Sequence, residues 1–290
     1  MILLIYMGYL KMKEKAFAKI NLCLDVVRRR DDGYHELKMI MVPLNYYDSL
    51  HMHIADKMSM VQNVGYIPLD DKNTVIKAIN VLREEYGFKE NFSISLTKHI
   101  PTQAGLAGGS ADGAAAIRLV DRLLHLNIPR DKMLELAAKV GADVPFCCIN
   151  KPAVVKGIGE IIEPFDINCD FEILLVKPKK GVMTKKAFEN IDYQNCIHPD
   201  VDKLKQALEN DDYDNVCHNL ANTLEASSFK LNNQIEDIKK QLIEIGFDGS
   251  LMTGSGSTVF GLTRDIKTLE KGYNIMREQG YFVRKTKILQ

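Results

Sequence analysis

An α+β architecture in two domains is expected of this chain, because strand and helix patterns are interleaved along it and because 290 residues exceed the usual size of one hydrophobic core. The division is placed between an N-terminal domain over residues 10–163 and a C-terminal domain over 164–290, with the turn-rich stretch around Gly157 and Gly159 as the boundary. Hydrophobic residues make up 46% and charged residues 26%, which excludes a disordered or fibrous chain. Lys plus Arg and Asp plus Glu both number 38, so the formal net charge is zero. That argues against broad electrostatic binding of nucleic acid and leaves room for a local basic pocket.

Residues 15–27 alternate in part and are rich in strand formers, so the first strand is expected there. Lys19 and Asn21 stand two apart and share a face of it. A lysine between Ala18 and Ile20 could equally snorkel at a sheet edge. Residues 28–33 form a charged turn, Tyr34 and His35 follow at once, and strands are expected over 37–44 and 49–55. His51 and His53 share a face, but without a third ligand a solvent-facing pair is the better reading.

A helix is expected over 73–86, with Val75, Ile76, Ile79, Val81 and Leu82 as its apolar positions, Asn73 able to cap it and Gly87 just past its end. A strand over 92–97 runs through Lys98 into Pro101-Thr102-Gln103-Ala104-Gly105-Leu106-Ala107-Gly108-Gly109-Ser110-Ala111. Such a cluster of glycines marks positive φ or close backbone approach. A helical pattern over 112–124 follows directly, and a helix N-terminus carries unpaired N–H groups and the positive end of the dipole. The run is therefore a candidate phosphate site, although a small-residue packing turn would look the same locally. Pro129 opens the next helix and Gly141 closes it. Asp143 stands two residues before Pro145, where an aspartate could simply cap or turn the chain.

In the last third, a strand is expected over 171–176 and helices over 184–191, 201–208, 213–227 and 233–245. Strands over 249–253 and 259–263 flank Gly254-Ser255-Gly256, and a helix over 266–279 leads to a strand over 281–288. Strand, helices, two strands, helix, strand is the order of a ferredoxin-like domain. The six cysteines are scattered without a C-x-x-C pair, and residues 1–10 are apolar but too short to span a bilayer, with no cleavage-like site after them. Those residues read as a start-site extension or an added strand, and the chain as a reduced, cytoplasmic protein.

The glycine run lacks the Gly-Lys-Ser/Thr ending of a Walker A loop and the G-x-G-x-x-G spacing of a dinucleotide fingerprint. Residues 101–111 instead resemble the second motif of the GHMP kinases, the family of galactokinase, homoserine kinase, mevalonate kinase and phosphomevalonate kinase. Ala18-Lys19-Ile20-Asn21-Leu22 near the start and Met252-Thr253-Gly254-Ser255-Gly256-Ser257 near the end match that family's other motifs in order. Ala107 stands where some relatives have glycine and Ala111 where some have a second serine; neither change removes a backbone donor. Asp32-Gly33-Tyr34-His35-Glu36-Leu37, Gly141-Ala142-Asp143-Val144-Pro145-Phe146 and Lys156-Gly157-Ile158-Gly159-Glu160 resemble the branch that acts on a cytidine diphosphate methylerythritol in the non-mevalonate route to isoprenoid precursors.

The resemblance implies a GHMP kinase fold with an N-terminal nucleotide-binding domain and a C-terminal ferredoxin-like substrate domain. It implies a kinase that uses ATP and Mg²⁺ to phosphorylate the 2-hydroxyl of that substrate. A homoserine- or mevalonate-type kinase and a non-catalytic nucleotide-binding relative are the alternatives. Asp143 is then the general base and Lys19 lies beside it, holding it ionised and offsetting charge. Pro101, Gly105, Leu106, Ala107, Gly108, Gly109, Ser110 and Ala111 hold the ATP phosphates, Ser110 touching a phosphate or Mg²⁺, while Asn73 and Lys98 lie near the nucleoside. Tyr34, His35 and Phe188 form the cytidine pocket, and Asn21 and Thr184 contact polar groups of the substrate; Tyr34 could instead be core. The expected partner is a small-molecule substrate, with no nucleic acid and no membrane, and the chain acts as a monomer or homodimer.

Overall fold

The computed structural model describes residues 11–289, and the expectation for residues 1–10 lies outside them. The chain divides into two compact units, neither continuous in sequence. One comprises the chain up to Ala18 with residues 46–101 and 107–150; the other comprises 19–45, 102–106 and 151–290. Strands β1 (Met12–Arg29) and β2 (His35–Ala55) are each shared between the two units.

In the first unit, the second half of β2 pairs antiparallel with β4 (Asn91–Thr97), Ser49 opposite Thr97 and Ala55 opposite Asn91. The short β3 (Ser59–Gln62) runs parallel to β4. Among the described residues the unit also holds α1 (Thr74–Tyr86), α2 (Gly108–Leu124), α3 (Arg130–Val140) and α4 (Val144–Ile149). Of the expected apolar positions of α1, Val75, Ile76, Ile79 and Leu82 are buried, with α2 packed against the helix, whereas Val81 is half-buried. Burying side chains such as Ile79 and Leu82 contributes about 1.5–3 kcal/mol each.

In the second unit, the first half of β2 pairs antiparallel with β5 (Ala153–Gly157), and β5 with β6 (Ile161–Pro164). A separate four-stranded sheet has the order β11 (Phe282–Thr286), β7 (Glu172–Lys177), β10 (Val259–Thr263), β9 (Gly249–Met252), antiparallel throughout. Helix α5 (Thr184–Glu189) begins the connection from β7 to β9, and α6 (Val201–Glu209), α7 (Tyr213–His218), α8 (Glu225–Leu231) and α9 (Gln234–Ile245) continue it. Helix α10 (Ile266–Glu278) joins β10 to β11. First and third strands in the centre, two helical connections over one sheet: this is the ferredoxin-like arrangement expected from the element order.

Several local expectations are corrected. Residues 37–44 and 49–55, expected as two strands, belong to the single strand β2, and the C-terminal segment supplies partners near their junction: Asn45 N donates to Lys287 O at 2.8 Å and Leu289 N to Pro43 O at 2.9 Å. The expected helix over 213–227 is interrupted by β8 (Ala221–Asn222), which pairs parallel with β1, Cys23 opposite Ala221. Asn222 stops the helix by giving its amide to Met252 O and Gly254 O, both at 2.8 Å. The stretch around Gly157 and Gly159 is the turn of the β5–β6 hairpin, both glycines at positive φ. Pro145 lies in the first turn of α4, and Asp143 takes the position before that helix without a side-chain capping bond. Helix α2 begins four residues earlier than its apolar pattern, inside the glycine run.

Candidate active site

The first unit holds the start of α2. Ala107 precedes the helix in left-handed backbone, φ 55°, and offers no side-chain cap. Ala111 N, donating to Ala107 O at 2.9 Å, makes the first helical bond. The N–H groups of Gly108, Gly109 and Ser110 therefore have no intrahelical acceptor, which is the arrangement that binds anions at a helix start. Thr74, at the start of α1, donates its hydroxyl to Gly109 O at 2.6 Å. Asn73 is buried and caps α1, its oxygen accepting from Val75 N at 2.9 Å and its amide donating to Pro68 O at 2.8 Å.

Lys98 is buried in an ion cluster that composition could not reveal. Its ammonium pairs with Asp48 and, at 2.6 Å, with Asp112 on α2. Burial works to lower the pKa of Lys98, but the two carboxylates outweigh it and hold it above the usual lysine range. Burial also raises the Asp112 carboxyl to about 8, with Asp48 adding to the rise and Lys98 opposing it. The second oxygen of Asp112 is buried without a hydrogen-bond partner. Asp143 occupies the residue before α4, its carbonyl accepting from Cys147 N at 3.1 Å.

The second unit brings three sequence motifs together. Lys19, 5% exposed, donates its ammonium to Asn21 Oδ1 at 2.8 Å, and its backbone N to Leu106 O at 3.2 Å. Asn21 N donates to Thr253 Oγ1 at 2.9 Å, and the Thr253 hydroxyl donates to Gly105 O at 3.3 Å. Gly105 is required: at φ 74° a Cβ would stand 2.2 Å from Thr253 O. The lysine strand, the loop residues 105 and 106 and the Thr253 turn are thus one hydrogen-bonded web.

Substrate-side candidates lie in the same unit. His35 and Phe188 face each other with ring centroids 4.7 Å apart and planes tilted by 39°. Burial lowers the pKa of His35, and Arg29 adds to the effect, so the ring is neutral at pH 7 and offers one donor and one acceptor. Tyr34 is 60% exposed, which removes the core alternative. Thr184, first residue of α5, shares a hydrogen bond with Ser255 Oγ at 2.9 Å. Sequence reasoning missed Asp48 and Asp112; the available signal was a charged residue inside the alanine-rich start of α2 and another between two apolar strand patterns.

The chain matches the GHMP kinases N terminal domain over residues 73–151 and the GHMP kinases C terminal over 204–281. It is 38% identical over 270 residues to the 4-diphosphocytidyl-2-C-methyl-D-erythritol kinase of Clostridium tetani, covering 92% of this chain and 96% of that one. The enzyme of the same name from Bacillus thuringiensis is 39% identical over 283 residues, covering 96% and 97%. A crystal structure of 4-(cytidine 5'-diphospho)-2C-methyl-D-erythritol kinase superposes with a TM-score of 0.80 at 27% identity, covering 96% of this chain and all of the other. Homoserine kinase from Cytophaga hutchinsonii shares the fold, TM-score 0.76 at 20% identity, with 96% and 95% covered. The chain belongs to the GHMP kinase family, in the branch of the 4-diphosphocytidyl-2-C-methyl-D-erythritol kinases. Among the described residues no helix is long and apolar enough to cross a membrane.

Proposed function

We propose that the protein transfers the γ-phosphoryl group of ATP to the 2-hydroxyl of 4-diphosphocytidyl-2-C-methyl-D-erythritol, a step in non-mevalonate synthesis of isoprenoid precursors. The observation that carries the reading is the uncapped, glycine-built start of α2 in a chain of this family. Phosphoryl transfer asks little covalent chemistry of the protein; it asks for alignment and charge stabilisation. Gly108, Gly109 and Ser110 direct N–H groups to the nucleotide phosphates, supported by Pro101, Gly105, Leu106, Ala107 and Ala111, with Asn73 and Lys98 ordering the nucleoside side.

Asp143 accepts the proton of the acceptor hydroxyl as its oxygen bonds to the γ-phosphorus and the bond to the β-phosphate oxygen breaks, releasing ADP. Lys19, kept in orientation by Asn21, offsets negative charge on the group in transfer. Tyr34, His35 and Phe188 take the cytosine ring, and Asn21 and Thr184 the polar groups of the methylerythritol. Among the described residues no group of three His, Cys, Asp or Glu could hold a metal by itself. This suits Mg²⁺, which keeps waters and phosphate oxygens in its shell and takes few protein ligands. Ser110 is the residue that would hold it beside the phosphates, where it supplies compensation of their charge. Six cysteines without a disulfide suit the reducing cytoplasm.

The domains proposed for this activity are an N-terminal ATP-binding domain over 10–163, which also lends Asn21, Tyr34 and His35 to the substrate, and a C-terminal substrate-binding domain over 164–290. ADP release measured with the cytidyl substrate, homoserine and mevalonate tests the proposal. Turnover is expected with the cytidyl alcohol alone; turnover with either of the others instead moves the protein to another branch, and none with any of the three removes the kinase assignment.

A further inference from the structure

The stretch that carries β4 into the glycine run is Lys98-His99-Ile100, and side chains of β2 and of the segment after β3 hold its backbone. Asn63 Oδ1 accepts from Lys98 N at 2.7 Å, and Asn63 Nδ2 donates to Lys98 O at 3.0 Å. Asp48 Oδ1 accepts from His99 N and, at 2.8 Å, from Ile100 N. The Tyr46 hydroxyl donates to His99 O. Five of the six backbone donors and acceptors of this short connector are thus bonded to side chains, where loop backbone is ordinarily left to water.

The same aspartate reaches further. Asp48, fully buried, uses its other oxygen to pair with the Lys98 ammonium, and that ammonium bonds Asp112 in the second turn of α2. The first residue of α2 rests on this connector: a Cβ on Gly108 would stand 2.9 Å from Ile100 Cγ2 and 3.3 Å from Lys98 Nζ. A displacement of the connector is therefore transmitted to the turn that presents the N–H groups of Gly108, Gly109 and Ser110, because close-packed atoms cannot absorb it.

We infer that Asp48, acting with Asn63 and Lys98, is a positioning residue for ATP: it fixes the connector on which Gly108 sits and so sets the aim of the phosphate-binding turn. The inference rests on the reading of that turn as the phosphate cradle. Asp48 touches no ligand, being wholly enclosed, so its effect on ATP passes through the backbone it holds.

The test is Asp48→Asn, which keeps an acceptor for the two backbone N–H groups and removes one of the two carboxylates paired with Lys98. Affinity of a fluorescent ATP analogue, KM for ATP, KM for the cytidyl alcohol and thermal midpoint are measured beside the parent. Weakening of ATP affinity by about tenfold is expected, since small misplacements distant from the chemistry have effects of that size. The KM for the alcohol should stay within about twofold, in line with positioning confined to the ATP side. A purely structural role would lower the thermal midpoint and leave the ATP KM of the folded protein unchanged, which overturns the inference. If Asp48→Asn does not fold, Asn63→Ala, at an exposed side chain, is expected to weaken ATP by about threefold, the loss of one pair of hydrogen bonds. Unchanged ATP affinity in that variant overturns the inference equally. Parent protein that binds no ATP analogue removes the phosphate-cradle reading itself, and this inference with it.

Discussion

On the proposed reading, the start of α2 and the surroundings of His35 are two ways of building a binding surface. The first is made of backbone: N–H groups of Gly108, Gly109 and Ser110, held from beneath by buried side chains such as Asp48 and Lys98. The second is made of side chains: His35 against Phe188, with Tyr34 60% exposed beside them in sequence. A backbone surface recognises what all nucleoside triphosphates share, whereas rings and their edges discriminate one base from another. The difference teaches that donor binding and acceptor choice can be perturbed separately, and each expected outcome below bears on that separation.

The largest effect is expected from Asp143→Asn, which should lower kcat by about 10²–10⁴-fold, the range for loss of a general base, with both KM values little changed. Steady-state kinetics at saturating ATP check it, and near-parental turnover would remove Asp143 from the base role. Tyr34→Ala comes next. Loss of one aromatic platform should raise the KM for the cytidyl alcohol by about 5–160-fold, from the 1–3 kcal/mol of base stacking, and leave the ATP KM alone. An unaltered acceptor KM would take Tyr34 out of the pocket.

A smaller effect concerns the buried cluster. The pKa of Asp112 is raised from 3.8 to about 8 in the folded protein, so the native state keeps a proton that the unfolded chain has released across that interval. Stability due to this group is present below pH 4 and is lost as pH rises through 8. Asp112→Asn cannot ionise, so its thermal midpoint at pH 8.5 should exceed the parent's by about 2–4 °C, with the gap closing at pH 5. A constant gap across that range would contradict the assignment. The smallest effect is expected from Ala107→Gly, which relieves left-handed backbone at φ 55°. A gain of up to about 1 kcal/mol in denaturant unfolding is expected, reduced by the added freedom of glycine in the unfolded chain.

Sequence made the backbone surface easy to find and the side-chain surface hard. Gly105 and Gly108 stand three residues apart, the one at positive φ and the other close against Ile100, and a need of that kind is a local property that a glycine run displays. His35 and Phe188 are far apart in the chain, and no periodicity joins them; only the family resemblance pointed to the pair. The ferredoxin-like order was legible because each strand there carries its own apolar run. The single strand β2 was not, since the polar stretch after Leu44 reads as a break between two strands until the C-terminal residues Lys287 and Leu289 pair with Asn45 and Pro43. Asp48 and Asp112 escaped notice for a related reason: what distinguishes them is a shared lysine, and that contact is made by folding.

Phe188→Ala tests the separation most directly, through KM for ATP and KM for 4-diphosphocytidyl-2-C-methyl-D-erythritol measured on the same preparation. The account predicts that the acceptor KM rises by about tenfold or more, as for any lost stacking partner, while the ATP KM stays within twofold. Equal rises in both constants, or a rise in the ATP constant alone, would contradict it.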